Sequence, residues 1–164
     1  MTASQGRAQD SAEAMNQSSS EPSDLFRCDY AGDLRTLQRA RRDVVGWLAD
    51  HAADETTKER AALIVSELAS NAVQASPGSS YRIEVSEVDS HLVSISVRNR
   101  PIEQLPPPRE KWRPVGNLSL KEMSLRGRGL AIVDSLSEEV TIEYLDEELT
   151  VTAVLRTERE AAGA

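Results

Sequence analysis

The apolar residues of this chain recur with two different periods. Leu34, Leu37, Ala40, Val44 and Leu48 follow a helical spacing, and Asp33 stands where it can cap the start, so the pattern predicts a helix running to about Asp50. A longer helix is predicted over residues 57–76. Thr56 and Glu59 read as its capping box, Pro77 and Gly78 stop it, and Ala61, Ile64, Val65, Leu68, Ala72 and Val73 make one apolar face. From Ser80 the period falls to two. Tyr81, Ile83 and Val85 alternate with polar residues, a turn follows at Asp89, Ser90 and His91, and Val93, Ile95 and Val97 continue beyond it. The same pattern returns as Val140, Ile142 and Tyr144, a turn at residues 146–148, then Leu149, Val151, Ala153 and Leu155. Leu25, Phe26, Cys28 and Tyr30 suffice for a short edge strand that Gly32 breaks, and Leu130, Ile132, Val133 and Leu136 suit a short helix.

These elements imply an α/β fold, a two-layer sandwich. Its mixed, mainly antiparallel sheet is expected to be covered on one face by about three helices and wet on the other. The domain is expected over residues 24–157. Residues 1–23 hold almost no large apolar groups and read as a disordered tail, as do residues 158–164. Between the hairpins, residues 100–126 carry five prolines and predict a long loop, a length that is usually either functional or disordered.

Composition narrows the function. With 164 residues, a net charge of -8 and 39% hydrophobic content, one soluble domain is expected, with no apolar run able to span a bilayer and no signal region. The expected location is cytoplasmic. Cys28 has no second cysteine to pair with and no ligand-spaced neighbours, and reads as a small core hydrophobe. An acidic chain argues against direct nucleic-acid binding. Against that background residues 98–128 hold eight basic residues and three acidic ones, a local excess of five positive charges that suits a polyphosphate.

Candidate chemistry sits on the second helix. Glu67, Ser70, Asn71 and Gln74 share the face opposite the apolar one, with Glu67 and Asn71 one turn apart. Such a stripe is either a solvated face or the floor of a ligand site. Its neighbouring alanines permit close approach. The basic loop ends in Arg126, Gly127, Arg128, Gly129 and Leu130, where glycines at a helix start either form an entry turn or expose backbone N–H groups to an anion. A dinucleotide-binding fingerprint does not fit, because Ile132 stands where its third glycine belongs and no strand leads into Gly127.

Two motifs, ELASNA from Glu67 to Ala72 and GRGLAIVD from Gly127 to Asp134, resemble the Bergerat ATP-binding fold, and most closely the bacterial anti-sigma factor serine kinases. The resemblance spans about Leu25 to Leu155. It implies that the chain binds ATP and Mg2+, with Asn71 holding the metal, Glu67 as general base, and Arg126, Gly127, Arg128, Gly129 and Leu130 around the phosphates. It also implies a protein serine kinase that acts on an anti-sigma factor antagonist of the STAS type and holds a sigma factor, with Arg41 on the partner-facing side and a homodimer as a common assembly. One position departs from the family. Where an Asp accepts the adenine amino group, this chain has Asn99, followed by Arg100 and Pro101 rather than glycines. The alternative implied is a catalytically silent partner-binding module of the same fold. A detached histidine-kinase domain fits less well, because no phosphoacceptor helix precedes the fold.

Overall fold

The computed structural model describes residues 24–102 and 129–159. Residues 1–23, 103–128 and 160–164 lie outside them, and with them the first expected tail and most of both the second tail, expected at 158–164, and the loop expected at 100–126. In chain order the elements are β1 (Leu25–Tyr30), a 3-10 turn (Leu34–Thr36), α1 (Leu37–Asp50), α2 (Glu55–Ala75), β2 (Tyr81–Asp89), β3 (Leu92–Asn99), α3 (Gly129–Leu136), β4 (Glu139–Leu145) and β5 (Glu148–Arg156). The strands form one sheet in the order β1-β2-β3-β5-β4, and every pairing is antiparallel. The three helices cover one face, which is the two-layer arrangement that the apolar alternation predicts.

Register explains the core. Ile83, Val97, Val151 and Ile142 form one row across the sheet, and Val85, Ile95, Ala153 and Val140 the next. All but Ile142 are buried beneath the helices. The row ends at an edge strand, where Ile142 and Tyr144 stay exposed although their spacing predicts an inward face. Helix α2 supplies to this core the six residues its periodicity selects, Ala61, Ile64, Val65, Leu68, Ala72 and Val73, together with Ala69, which it does not. Helix α1 adds Ala40, Val44, Trp47 and Leu48, whereas Leu34 falls in the 3-10 turn and is exposed. Asp33 does cap, but it caps that turn, accepting from the Arg35 N–H at 2.8 Å.

The start of α2 corrects the capping-box reading. Asp54, not Thr56, is the N-cap: its backbone is extended and its Oδ1 accepts from the Thr57 N–H at 2.8 Å. Thr56 already lies inside the first turn. The reason is an anchor from the far end of the chain, because the Asp54 N–H donates to Glu158 O at 2.9 Å and the Glu158 N–H donates to the buried Thr57 Oγ1 at 3.1 Å. Ala53 bridges to Arg159 beside them, so ordered chain continues past the sequence-based boundary at Thr157.

A second close approach fixes the other end of α2. A Cβ on Gly32 would lie 2.0 Å from Ser79 O, so only glycine lets the β1–α1 connection meet the turn after α2. Gly78, at φ 80°, makes that turn and donates to Gly32 O at 3.1 Å. With both ends held, α2 crosses the sheet in a defined place.

Candidate functional site

Helix α2 presents its polar stripe on the side where α3 begins. Glu67 is half-buried and Asn71 is exposed one turn further on. Gly129, the first residue of α3, sits directly against both side chains: a Cβ there would come within 2.8 Å of Glu67 Oε2, 3.5 Å of Asn71 Nδ2 and 3.6 Å of Asn71 Oδ1. The stripe is therefore not a freely solvated face. Burial raises the Glu67 carboxyl above its ordinary value, which makes it a stronger base than a surface glutamate. Leu130 is buried in the core and fixes α3 in this position. Ala131 and Ile132 form a separate small cluster with Leu63 of α2 and Leu136.

Asn99 occupies the last inward position of β3. The inward series runs Val93, Ile95, Val97, Asn99, so an amide stands where the alternation calls for an aliphatic side chain. It is satisfied by α2. Asn99 Nδ2 donates to Ser76 Oγ at 3.1 Å, and the Ser76 hydroxyl in turn donates to Arg100 O. Ser76 is the C-cap of α2 and is fully buried. Sequence reasoning missed it. A serine just before Pro-Gly reads as turn chemistry, and only the pairing with β3 reveals its second role.

The remaining predicted residues divide. Arg41 lies exposed on α1, and its Nη1 donates to Ser66 Oγ at 3.3 Å, next in sequence to Glu67. Arg126, Gly127 and Arg128 lie outside the described residues. A surface cleft of about 290 Å³ opens at the end of the sheet, lined in part by Asn99, Arg82, Arg98 and Arg100, but it does not reach Glu67 or Asn71. Its arginines are engaged, Arg82 with Asp29 at 2.7 Å, and Arg98 and Arg100 with Glu148 at 3.9 and 3.5 Å. The α2–α3 junction, where a carboxylate, an amide and a side-chain-free backbone converge, is thus the better candidate.

The profile of the histidine kinase-like ATPase domain matches residues 30–155. The chain belongs to the histidine kinase-like ATPase family. Its fold is shared by a solved structure of the RsbU and RsbW domains of Rv1364c from Mycobacterium tuberculosis, with a TM-score of 0.60 and 18% identity. That match takes in 84% of this chain and 33% of the other, so this chain spans about a third of the length of that solved chain. None of the curated proteins compared matches the chain. Among the described residues no helix is long and apolar enough to cross a membrane.

Proposed function

We propose that this ATPase-family domain binds Mg-ATP along α2 and is a protein serine kinase of the anti-sigma regulator kind. The observation that carries the reading is the contact of Gly129 with Glu67 and Asn71. It brings backbone free of any side chain close against one ionisable group and one hard oxygen donor, an approach that a Cβ would obstruct. The dimensions suit the ligand. Glu67 and Ser76 are nine residues apart on α2, about 13 Å along its axis, comparable to the reach of an extended nucleoside triphosphate. Asn99, beside Ser76, would take the base, and Asn71 with Gly129 and Leu130 the phosphate end. Arg126, Gly127 and Arg128 belong to the same proposal on sequence grounds.

Mg2+ bound with the nucleotide would neutralise charge on the transferring phosphoryl group, and it takes few ligands from protein, so Asn71 with phosphate oxygens would suffice. Glu67 would accept the proton of an incoming serine hydroxyl, a task that its burial favours. Arg41, exposed beside Ser66, would meet the protein partner next to the site, whether a sigma factor or a STAS-type antagonist carrying the serine. A cytoplasmic location and a homodimer are part of this reading.

Isothermal titration with Mg-ATP tests binding, and transfer of label from γ-labelled ATP to a candidate antagonist tests the kinase. No heat of binding at millimolar nucleotide would remove the proposal. The uncharged Asn99 favours a second reading, regulation by sequestration without phosphoryl transfer. Binding of ATP with no labelling of a partner that does bind would select it.

A further inference from the structure

We infer that Ser76 is a positioning residue that fixes which atom of Asn99 faces the ligand, and so makes the site select a purine with a 6-amino group over one with a 6-oxo group. The inference rests on the reading of Asn99 as the base-binding residue. The logic is one of donors and acceptors. Arg100 O is a carbonyl and can only accept, so the hydroxyl between them must give it the Ser76 proton. Ser76 Oγ is then left as an acceptor towards Asn99, and the atom facing it at 3.1 Å must be the amide nitrogen. Turning the amide over would set its oxygen against an oxygen whose hydrogen points elsewhere. Both side chains are buried, so water cannot relieve that mismatch.

With the nitrogen held on the Ser76 side, Asn99 Oδ1 is turned the other way. Among the described residues no group donates to it. A neutral amide would otherwise be ambiguous, offering either an acceptor or a donor to a base edge, which a carboxylate never does. The hydroxyl relay from Arg100 removes the ambiguity. It lets an uncharged residue act as a one-way acceptor in a buried position where a charge would be costly. An adenine amino group can donate to that oxygen, whereas the carbonyl of hypoxanthine would meet it acceptor to acceptor.

The test compares ATP with ITP, which differs at the 6-position, by titration calorimetry in the presence of Mg2+, alongside the side-chain amide signals of Asn99 by 15N NMR. The wild type is expected to prefer ATP, and its Asn99 amide protons to exchange slowly. Ser76→Ala should reduce the ATP-to-ITP preference about tenfold and speed the amide exchange, while Ser76→Thr, which keeps the hydroxyl, should restore both. A folded Ser76→Ala protein that binds ATP with the wild-type preference overturns the inference and leaves the nucleotide reading standing. A wild type that binds neither nucleotide overturns the nucleotide reading, and the selectivity falls with it. Should Ser76→Ala fail to fold, the wild type decides: rapid exchange of the Asn99 amide, or equal affinity for ATP and ITP, refutes the relay.

Discussion

Gly129→Ala separates the cost of a close contact to the fold from its cost to the site. The added methyl carbon would lie 2.8 Å from Glu67 Oε2, so the carboxylate must retreat by about 0.6 Å to reach the 3.4 Å at which ordinary contact begins. That oxygen is the far end of a side chain with three rotatable bonds, and the retreat is inexpensive. The two Asn71 atoms, at 3.5 and 3.6 Å, need not move. Alanine also recovers up to about 1 kcal/mol of helix propensity over glycine. Stability should therefore change by no more than about 1 kcal/mol in either direction. The phosphate end of a ligand would fare worse, because the methyl occupies the approach to the backbone at the start of α3 and loss of one charge-assisted hydrogen bond costs about 1.5–3 kcal/mol, roughly tenfold to a hundredfold in affinity. Urea unfolding measures the first quantity and Mg-ATP titration the second. A variant that unfolds like the wild type and binds Mg-ATP equally well would refute the placement of phosphates at Gly129, and a loss of stability beyond about 2 kcal/mol would refute the packing argument.

Further variants test two local assignments. Burial raises the Glu67 carboxyl, so the folded chain holds that proton to a higher pH than the unfolded chain, and stability declines as pH rises from 4.5 through the folded value. Glu67→Gln carries no such penalty. Its melting temperature should exceed the wild type's at neutral pH, the gap closing as pH falls to about 4, and a gap independent of pH would show that the carboxyl is not desolvated. At the start of α2, hydrogen bonds from Thr57 hold the Asp54 carboxyl below its usual range, so its capping contribution is complete above pH 3.8 and is lost as pH falls through the lowered folded value. Asp54→Ala should melt lower than wild type at neutral pH and converge with it in acid, while Thr56→Ala changes little. The opposite ranking would return the cap to Thr56.

Periodicity made the sheet and helices legible because burial here follows simple rules. Ile83, Val85, Ile95 and Val97 alternate, and the sheet buries one face. Pattern failed where a distant partner decides. Thr56 with Glu59 is a sound local signal, but Glu158, far along the chain, fixes Asp54 as the cap. Val140, Ile142 and Tyr144 alternate as a half-buried strand should, yet the helices do not extend over the edge, and only Val140 is covered. At the site, Glu67 and Asn71 were visible as one face of a helix. What sequence could not supply was their contact with Gly129, since nothing local couples residues so far apart. Asn99 stood out only as a departure from the Asp of the family it resembles, and the orientation of its amide depends on Ser76.

The strand order also bears on how the chain folds. The hairpins β2–β3 and β4–β5 close over short turns, whereas β3 must find β5 across the whole interval between them, from Asn99 with Leu149 to Leu92 with Arg156. Joining distant segments loses chain entropy before contacts repay it, so this seam, like the equally non-local pairing of β1 with β2, is expected to form after the hairpins. Asn99 lies at its very end. The Ser76–Asn99–Arg100 relay lies wholly on one side of this seam and Gly129 on the other, so on the proposed reading the two ends of the nucleotide site would come together only once the two halves of the molecule have docked.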